Sequence, residues 1–594
     1  MLGASALAFN VALASAVLLP NVAEATPLCM IVIVDTTITD ASNTCITWNS
    51  SNITITGGGT VTGSYTDIHN SGNSVNTLIN NGTIGNGGSH NGIVNGTSNG
   101  TLSSTIAVFT NNGSLGGGYV GIVNYGSGTV GTIGNDGTIS NQATGIWNNG
   151  SIGTLTNGGT IDSFNTALVN GGSISTISNS GLITGLGGDS VGNGIVNSGT
   201  IGAITNTGVI LGGGCISCDG IVNQSIISTI INATSGGTIA ASISAILNQG
   251  TIGGSVSLAI NNDHNAHIGT IDNQNLITGG SGIENRGLID SLQNSGLIDG
   301  SYGVYNNNGG TIGALNNSGV IHGTSTAVTN INIGSSIGAL TNSGTLTGNL
   351  GFLNSTGAHI GSVVNTGLIE GLGTVAVRND HATIDTITNS ATIIGGATGI
   401  LNVVGGSIGV LTNNGTIVGT SSIGISNNGS NTTLLNAGTI HGGQTGVYNG
   451  GNLTAFSNTG TVSGGTGDAV FNDAGSIGTL TNSHILNGQI NGMYNNGHIQ
   501  SISNTGTIIG TSLAGLFNDT IGSIGTLDNA QLITSVLAVH NSGSINSLVN
   551  SGTISSASST ALFNDTTGSI GAVTNSGLIT GPNALVGASG GTLL

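Results

Sequence analysis

The chain has 594 residues, a formal net charge of −19 and 110 glycines against 3 prolines. Lys and Arg together number 2, Arg286 and Arg378, so no basic patch can neutralise phosphates, which argues against nucleic acid and anionic lipid headgroups as partners. Lys is absent, which rules out a Walker-type phosphate loop; Gly without a Gly-X-Y triplet and with so little Pro rules out collagen and Pro-rich linkers.

Taken in chain order, residues 1–25 read as a secretory signal peptide. An apolar run from Ala6-Leu7-Ala8-Phe9 to Ala16-Val17-Leu18-Leu19 precedes Ala23-Glu24-Ala25, an A-x-A cleavage pattern before Thr26. No basic residue precedes that run, which points to a start codon upstream of Met1. A membrane anchor is the alternative, although Asn10 and Pro20 interrupt the segment and it is short for a spanning helix.

Residues 26–66 depart from the pattern that follows. Met30-Ile31-Val32-Ile33-Val34 is a continuous strand run with Trp48 close behind, and the stretch is predicted to cap the first open edge of a stacked array. In an exported chain Cys29 with Cys45, and Cys215 with Cys218, are expected to be structural disulfides closing short loops. The rival for Cys215-Ile216-Ser217-Cys218, a redox or zinc CxxC, would need a helix N-terminus or further ligands.

From residue 67 to 594 the chain is a repeat. Ile-Gly-X-(Leu/Val/Ile)-X-Asn-X-Gly-X-Ile recurs, clearest at Ile312, Ile337, Ile360, Ile384 and Ile408, with steps of 25, 23, 24 and 24. Such a period marks a solenoid, and the two-residue spacing of Leu315, Asn317, Gly319 and Ile321 marks a strand. A second strand ends in Asn330, Asn354, Asn379 and Asn402. Two residues before this second Asn the side chain stays apolar (Val328, Phe352, Val377, Ile400, Val447, Val470, Met493, Leu516, Val539, Leu562). One residue before it the chemistry is free (Thr329, Leu353, Arg378, Leu401, Tyr448, Phe471, Tyr494, Phe517, His540, Phe563). That contrast predicts an inside and an outside. The fold class is therefore all-β, a parallel β-solenoid of about two dozen residues per coil and on the order of 100 Å long.

Asn317, Asn342, Asn365, Asn389 and Asn413 form one column, expected to be a structural ladder of amide hydrogen bonds that sets coil register. Asn is also expected there because it tolerates left-handed backbone, with the Gly of Asn-X-Gly supplying the turn. Tyr448, Phe471, Tyr494, Phe517 and Phe563 fall in one outward column and are the candidate binding stripe, since aligned rings can stack on sugars or bury a partner.

No catalytic, cofactor-binding or metal residues are assigned. Asp263-His264 with His267, and Asp380-His381 with Asp385, read as solvated loop insertions, and no Gly-Gly-X-Gly-X-Asp array for calcium occurs. Asn-X-Ser/Thr sites such as Asn52-Ile53-Thr54, Asn81-Gly82-Thr83 and Asn112-Gly113-Ser114 follow from composition alone.

The signal segment, the cap and the tandem Gly/Asn/Thr/Ser-rich coils together resemble the passenger region of bacterial autotransporters (type V secretion), in particular its adhesin-like members. The resemblance implies a right-handed parallel β-helix, exported to the cell surface, outer membrane or medium. Its implied role is attachment to a host or bacterial glycan or protein, or self-association. Members of that family end in a translocator barrel; none is encoded before Leu594, and the expectation is a longer gene product or a continuation in another reading frame. The alternatives are a carbohydrate-active β-helix enzyme, which would need converging acidic side chains, and an ice-binding or surface-layer solenoid with a flat Thr-X-Thr face.

Overall fold

A computed structural model describes residues 30–593, apart from 33–35, 40, 43–44, 50–51, 64–65, 86–89, 117, 142, 187–191, 214–219, 233–241, 254–257 and 588–591. The signal segment 1–25, Cys29, Cys215 and Cys218 lie outside the described residues.

Each coil has two sides. One carries a straight strand of seven residues, such as Ser336–Asn342. The other carries either a strand interrupted by a glycine-led loop, such as Thr392–Gly395 followed by Thr398–Asn402, or one long strand with a register shift at the same place, such as Val320–Ile331. The next coil stacks in parallel and in register: Ile337 opposes Ile360, Leu340 opposes Val363, and Asn342 opposes Asn365. On the interrupted side Ile393 opposes Ile417 and Ile400 opposes Ile425. About 21 turns of about 24 residues result, with no helix among the described residues. The scarcity of helix formers and the wealth of Thr, Ile and Val make this the expected outcome.

Each straight strand turns three side chains inward, here Ile337, Leu340 and Asn342. Simple two-residue alternation breaks between the first two, because Gly338 and Ala339 both face outward and the strand bends there. Stacked coil on coil, the inward Ile, Leu and Val side chains form one continuous apolar column from Ile38 to Ile570. Val377, Ile400 and Val447 lie in it, as the inside positions should. Thr329 departs from the outward slot: it is buried, held in register between the larger Tyr305 and Leu353.

The described residues between 30 and 66 themselves form short coils. Met30–Val32 pairs with Ile46–Trp48, which pairs with Thr66–Asn70, all in parallel. Trp48 stands opposite Asn70, fully buried at the place where every later coil has Asn, and Asn70 Oδ1 is left without a donor. Cys45, just ahead of that strand, is disulfide-bonded, and its carbonyl accepts from the Met30 N–H at 2.8 Å.

Nearby, burial pushes the Asp67 carboxyl up to about 6, against the lowering effect of the Gly63 N–H that donates to it. A folded pKa above the unfolded one means stability that is full below the unfolded value and lost as pH rises through about 6. Amide exchange in the coils around Asn70 should therefore quicken between acid and neutral pH, by up to about 3 kcal/mol of opening free energy. Asp67→Asn should abolish that dependence; unchanged exchange across this window would contradict the burial argument.

The two sides exchange roles once. Straight strands up to Ile226–Asn232 stack on one another, but Ser242–Asn248 stacks on the interrupted pair Val209–Leu211 and Ile221–Asn223. In the same way the interrupted pair Thr251–Gly253 and Ile260–Asn262 stacks on Ile226–Asn232. Both kinds of half-coil present Ile, a second aliphatic residue and Asn at the same inward places, so each fits upon the other without a break in the core.

Candidate functional site

Two amide ladders run the length of the rod, one at the end of each side. The first passes through the predicted column: Asn317 to Asn342, Asn342 to Asn365, Asn365 to Asn389 and Asn389 to Asn413, each Nδ2 to Oδ1 at 2.8 Å. The second links Asn330, Asn354, Asn379 and Asn402 at 2.9 to 3.0 Å. A typical rung, Asn342, also donates to Gly344 O at 3.3 Å and Leu368 O at 2.9 Å, tying its own turn to the next coil. The rungs are buried, out of reach of any ligand.

Left-handed backbone, expected at these Asn residues, does not occur at them. Positive φ occurs at Asn265, Asn308, Asn332, Thr356, His381 and Ala474, none of them a rung. Asn sits at strand ends because its primary amide donates to and accepts from a copy of itself one coil away and still donates to backbone carbonyls. The ladders cross the exchange of sides unbroken, through Asn223 to Asn248 at 3.0 Å and Asn232 to Asn262 at 3.1 Å.

The predicted stripe is brought together as one column of rings. Centroids stand 5.4 Å apart for Tyr448–Phe471, 4.8 Å for Phe471–Tyr494 and 5.2 Å for Tyr494–Phe517, each pair nearly perpendicular. Edge-to-face packing of this kind sets the positive rim of one ring on the negative face of the next. Between Phe517 and Phe563 stands His540, stacked on Phe517 at 4.4 Å and tilted against Phe563 at 5.1 Å. His540 belongs to the column although sequence reading left it out of the stripe; its register, one step from each neighbour, was the available signal. All six rings are half-buried.

A second column, two residues further along each strand, borders the rings with Asp473, Asn496, Asp519, Ser542 and Asp565. Tyr448 donates its hydroxyl to Asp473 Oδ2 at 2.9 Å, and Tyr494 donates to Asp519. Asn496 Nδ2 donates to Asp473 Oδ1 at 3.3 Å, and Ser542 Oγ donates to Asp565 Oδ2 at 3.2 Å. Burial and the carboxylate acceptor push both tyrosine hydroxyls above their ordinary range. Burial lowers His540, outweighing Asp565; the Thr566 N–H, chiefly, holds Asp565 below the usual carboxylate range. Neutral rings therefore line up beside carboxylates.

The residues read as loop insertions do not gather, and three of them lie in strands instead: His267 in His267–Asn273, Asp380 at the end of Leu368–Asp380 and Asp385 in Thr383–Asn389. Asp263 faces Arg286 at 3.6 Å, whereas His267 pairs with Asp290 at 2.8 Å on the neighbouring coil. Asp380 takes both Arg378 at 2.7 Å and His381 at 2.6 Å, and Asp385 pairs with His359 at 3.0 Å. Arg286 is also held by the buried Glu284 at 2.6 Å. Both arginines are thus neutralised where they stand. Among the described residues no three His, Cys, Asp or Glu side chains are placed to hold a metal ion. Shallow grooves among the described residues include one of about 300 Å³ beside His322, Asn349 and Leu372, and one of about 330 Å³ beside Asp272, Gln274, Gln293 and Asn316.

No protein-family model, curated protein or solved structure matches this chain.

Proposed function

We propose that this chain is the rod of an exported, adhesin-like molecule of the autotransporter-passenger kind, and that the ring column from Tyr448 to Phe563 is its attachment surface. One observation carries this reading: six successive coils hold aromatic rings in mutual contact, each partly exposed, along roughly 24 Å of the rod. Such a strip, rimmed by carboxylates, suits the flat faces of sugars or the side chains of a partner. The ladders supply a stiff mount, and each coil offers a finished edge to the next, which suits folding from one end during export.

Replacing both Tyr494 and Phe517 by Ser should lower retention of the purified rod on a target cell surface by tenfold or more, about 1.4 kcal/mol of binding. Circular dichroism should show the rod still folded. Equal retention would remove the ring column as the attachment surface.

A carbohydrate-active enzyme is the second reading, favoured by the recurrence of Asp473, Asp519 and Asp565 along the rings. Their two-coil separation, about 9.6 Å from strand spacing, falls just beyond the range of about 6.5–9.5 Å for inverting carboxylate pairs. Release of reducing ends from polysaccharide, lost in Asp519→Asn, would favour it over adhesion. The ice-binding or surface-layer alternative has less support: Thr386-Ile387-Thr388 and Thr479-Leu480-Thr481 are separated in the same columns by Val410 and Leu435.

A further inference from the structure

From Tyr448 to Phe517 the ring column repeats every second coil and not every coil; beyond Phe517 the alternation of orientation ends, with His540 10° from Phe517 and 48° from Phe563. Tyr448 and Tyr494 each reach an aspartate in the coil above, while Phe471 and Phe517 between them do not, and successive rings are turned by 88°, 89° and 81°. The carboxylates keep the same rhythm: Asp473, Asp519 and Asp565 alternate with Asn496 and Ser542. Parallel coils rise about 4.8 Å, so this surface has a chemical period of about 9.6 Å. The acids lie along one edge of the rings and keep spare acceptor capacity, since an ionised carboxylate offers about four lone-pair sites.

An extended β-1,4-linked hexose chain advances by one disaccharide in nearly the same distance. Its sugars alternate in orientation, so the C2 substituents of every second sugar project to the same edge. On a chain with formal net charge −19, where both arginines are already paired, a substituent meeting three aspartates should be cationic. We propose that the column binds a β-1,4-linked 2-amino-hexose chain lying along the rod axis, its sugar faces on the rings and every second amine on Asp473, Asp519 or Asp565. This rests on the reading of the rings as a contact surface and adds the ligand class, the direction and the register. A charge-assisted N–H to carboxylate bond at each acid is stronger than the hydroxyl contact that a neutral glucan would make.

The test is calorimetric titration of the full chain with β-1,4-linked glucosamine oligomers of two to six units, in buffer where the sugar amines are protonated. The N-acetylated and cello-oligomers serve as comparators. The amine hexamer should bind about thirtyfold or more tighter than the dimer, because the column accommodates roughly five sugars. It should bind about tenfold tighter than cellohexaose, and Asp473→Asn/Asp519→Asn/Asp565→Asn should abolish that preference.

A matched variant, Asp136→Asn/Asp290→Asn/Asp385→Asn, removes as much charge elsewhere and should leave the preference intact. An equal loss in both variants would mean diffuse attraction and overturn the proposal. So would cellohexaose binding as tightly as the amine hexamer, or a dimer binding as tightly as a hexamer. If no oligomer binds while Tyr494→Ser/Phe517→Ser still loses surface attachment, the ligand assignment falls and the adhesive reading stands. If oligomers bind but attachment survives those substitutions, the adhesive reading falls alone.

Discussion

Asn365→Leu should lower the unfolding free energy of the rod by about 3–5 kcal/mol, although leucine has the same branched side-chain skeleton as asparagine and is favoured in a core. Asn365 Oδ1 accepts from Asn342 at 2.8 Å, and its Nδ2 donates to Asn389 Oδ1 at 2.8 Å, Gly367 O at 3.1 Å and Thr392 O at 3.0 Å. Leucine removes all four bonds and strands buried acceptors on two coils, the expensive side of hydrogen-bond energetics. If packing alone held the stack, the larger Leu would cost no more than overpacking does, about 1–3 kcal/mol, so a greater loss marks the ladder.

Asn365→Asp keeps the shape and the acceptor but loses the donor and buries a carboxyl. Burial would raise its pKa, so the damage should be worst at neutral pH and ease as pH falls. Because stability in such arrays is a sum of nearest-neighbour terms, one failed rung should divide the rod into two independently exchanging blocks, read by hydrogen exchange on either side of residue 365. A leucine variant that melts with the wild type would show that the ladder adds nothing.

Gly344→Val is expected to be worse, above about 4 kcal/mol or incompatible with the stacked fold. A Cβ at residue 344 would lie 2.0 Å from Gly319 O and 2.6 Å from the Ser318 carbonyl carbon in the coil below. The same overlap recurs at Gly319 and Gly367, at 2.1 and 2.2 Å. These are the glycines of Asn-X-Gly. Since none of them has positive φ, close approach of the neighbouring backbone, and not a left-handed turn, forbids a side chain there. Gly134→Ala is the control: the nearest atom to its Cβ would be Phe109 O at 4.0 Å, so its effect should stay within about 0.5 kcal/mol. Equal melting of the Gly344 and Gly134 variants would refute this geometry.

Much of this was legible because every coil asks the same question of the chain. The inward triad of Ile337, Leu340 and Asn342 returns at Ile360, Val363 and Asn365, and repetition makes the pattern visible without any coordinates. The candidate stripe was legible for the same reason. Its rim was not: Asp473 matters because it reaches the Tyr448 ring of the preceding coil, a relation between residues 25 apart that no local window contains. His540 was passed over because its type differs, though its place does not.

By itself the sequence determined that this is a stack of parallel coils with an apolar interior and amide columns, since a period of about two dozen residues with two-residue alternation has few other physical solutions. Only the tertiary structure decided that straight and interrupted half-coils trade sides after Asn232, that Trp48 replaces an amide rung at the first coils, and that the rings alternate in a two-coil rhythm. Those features depend on which backbones and side chains meet across the stack. A linear pattern fixes what each coil can offer; the packing of one coil on the next selects what is used.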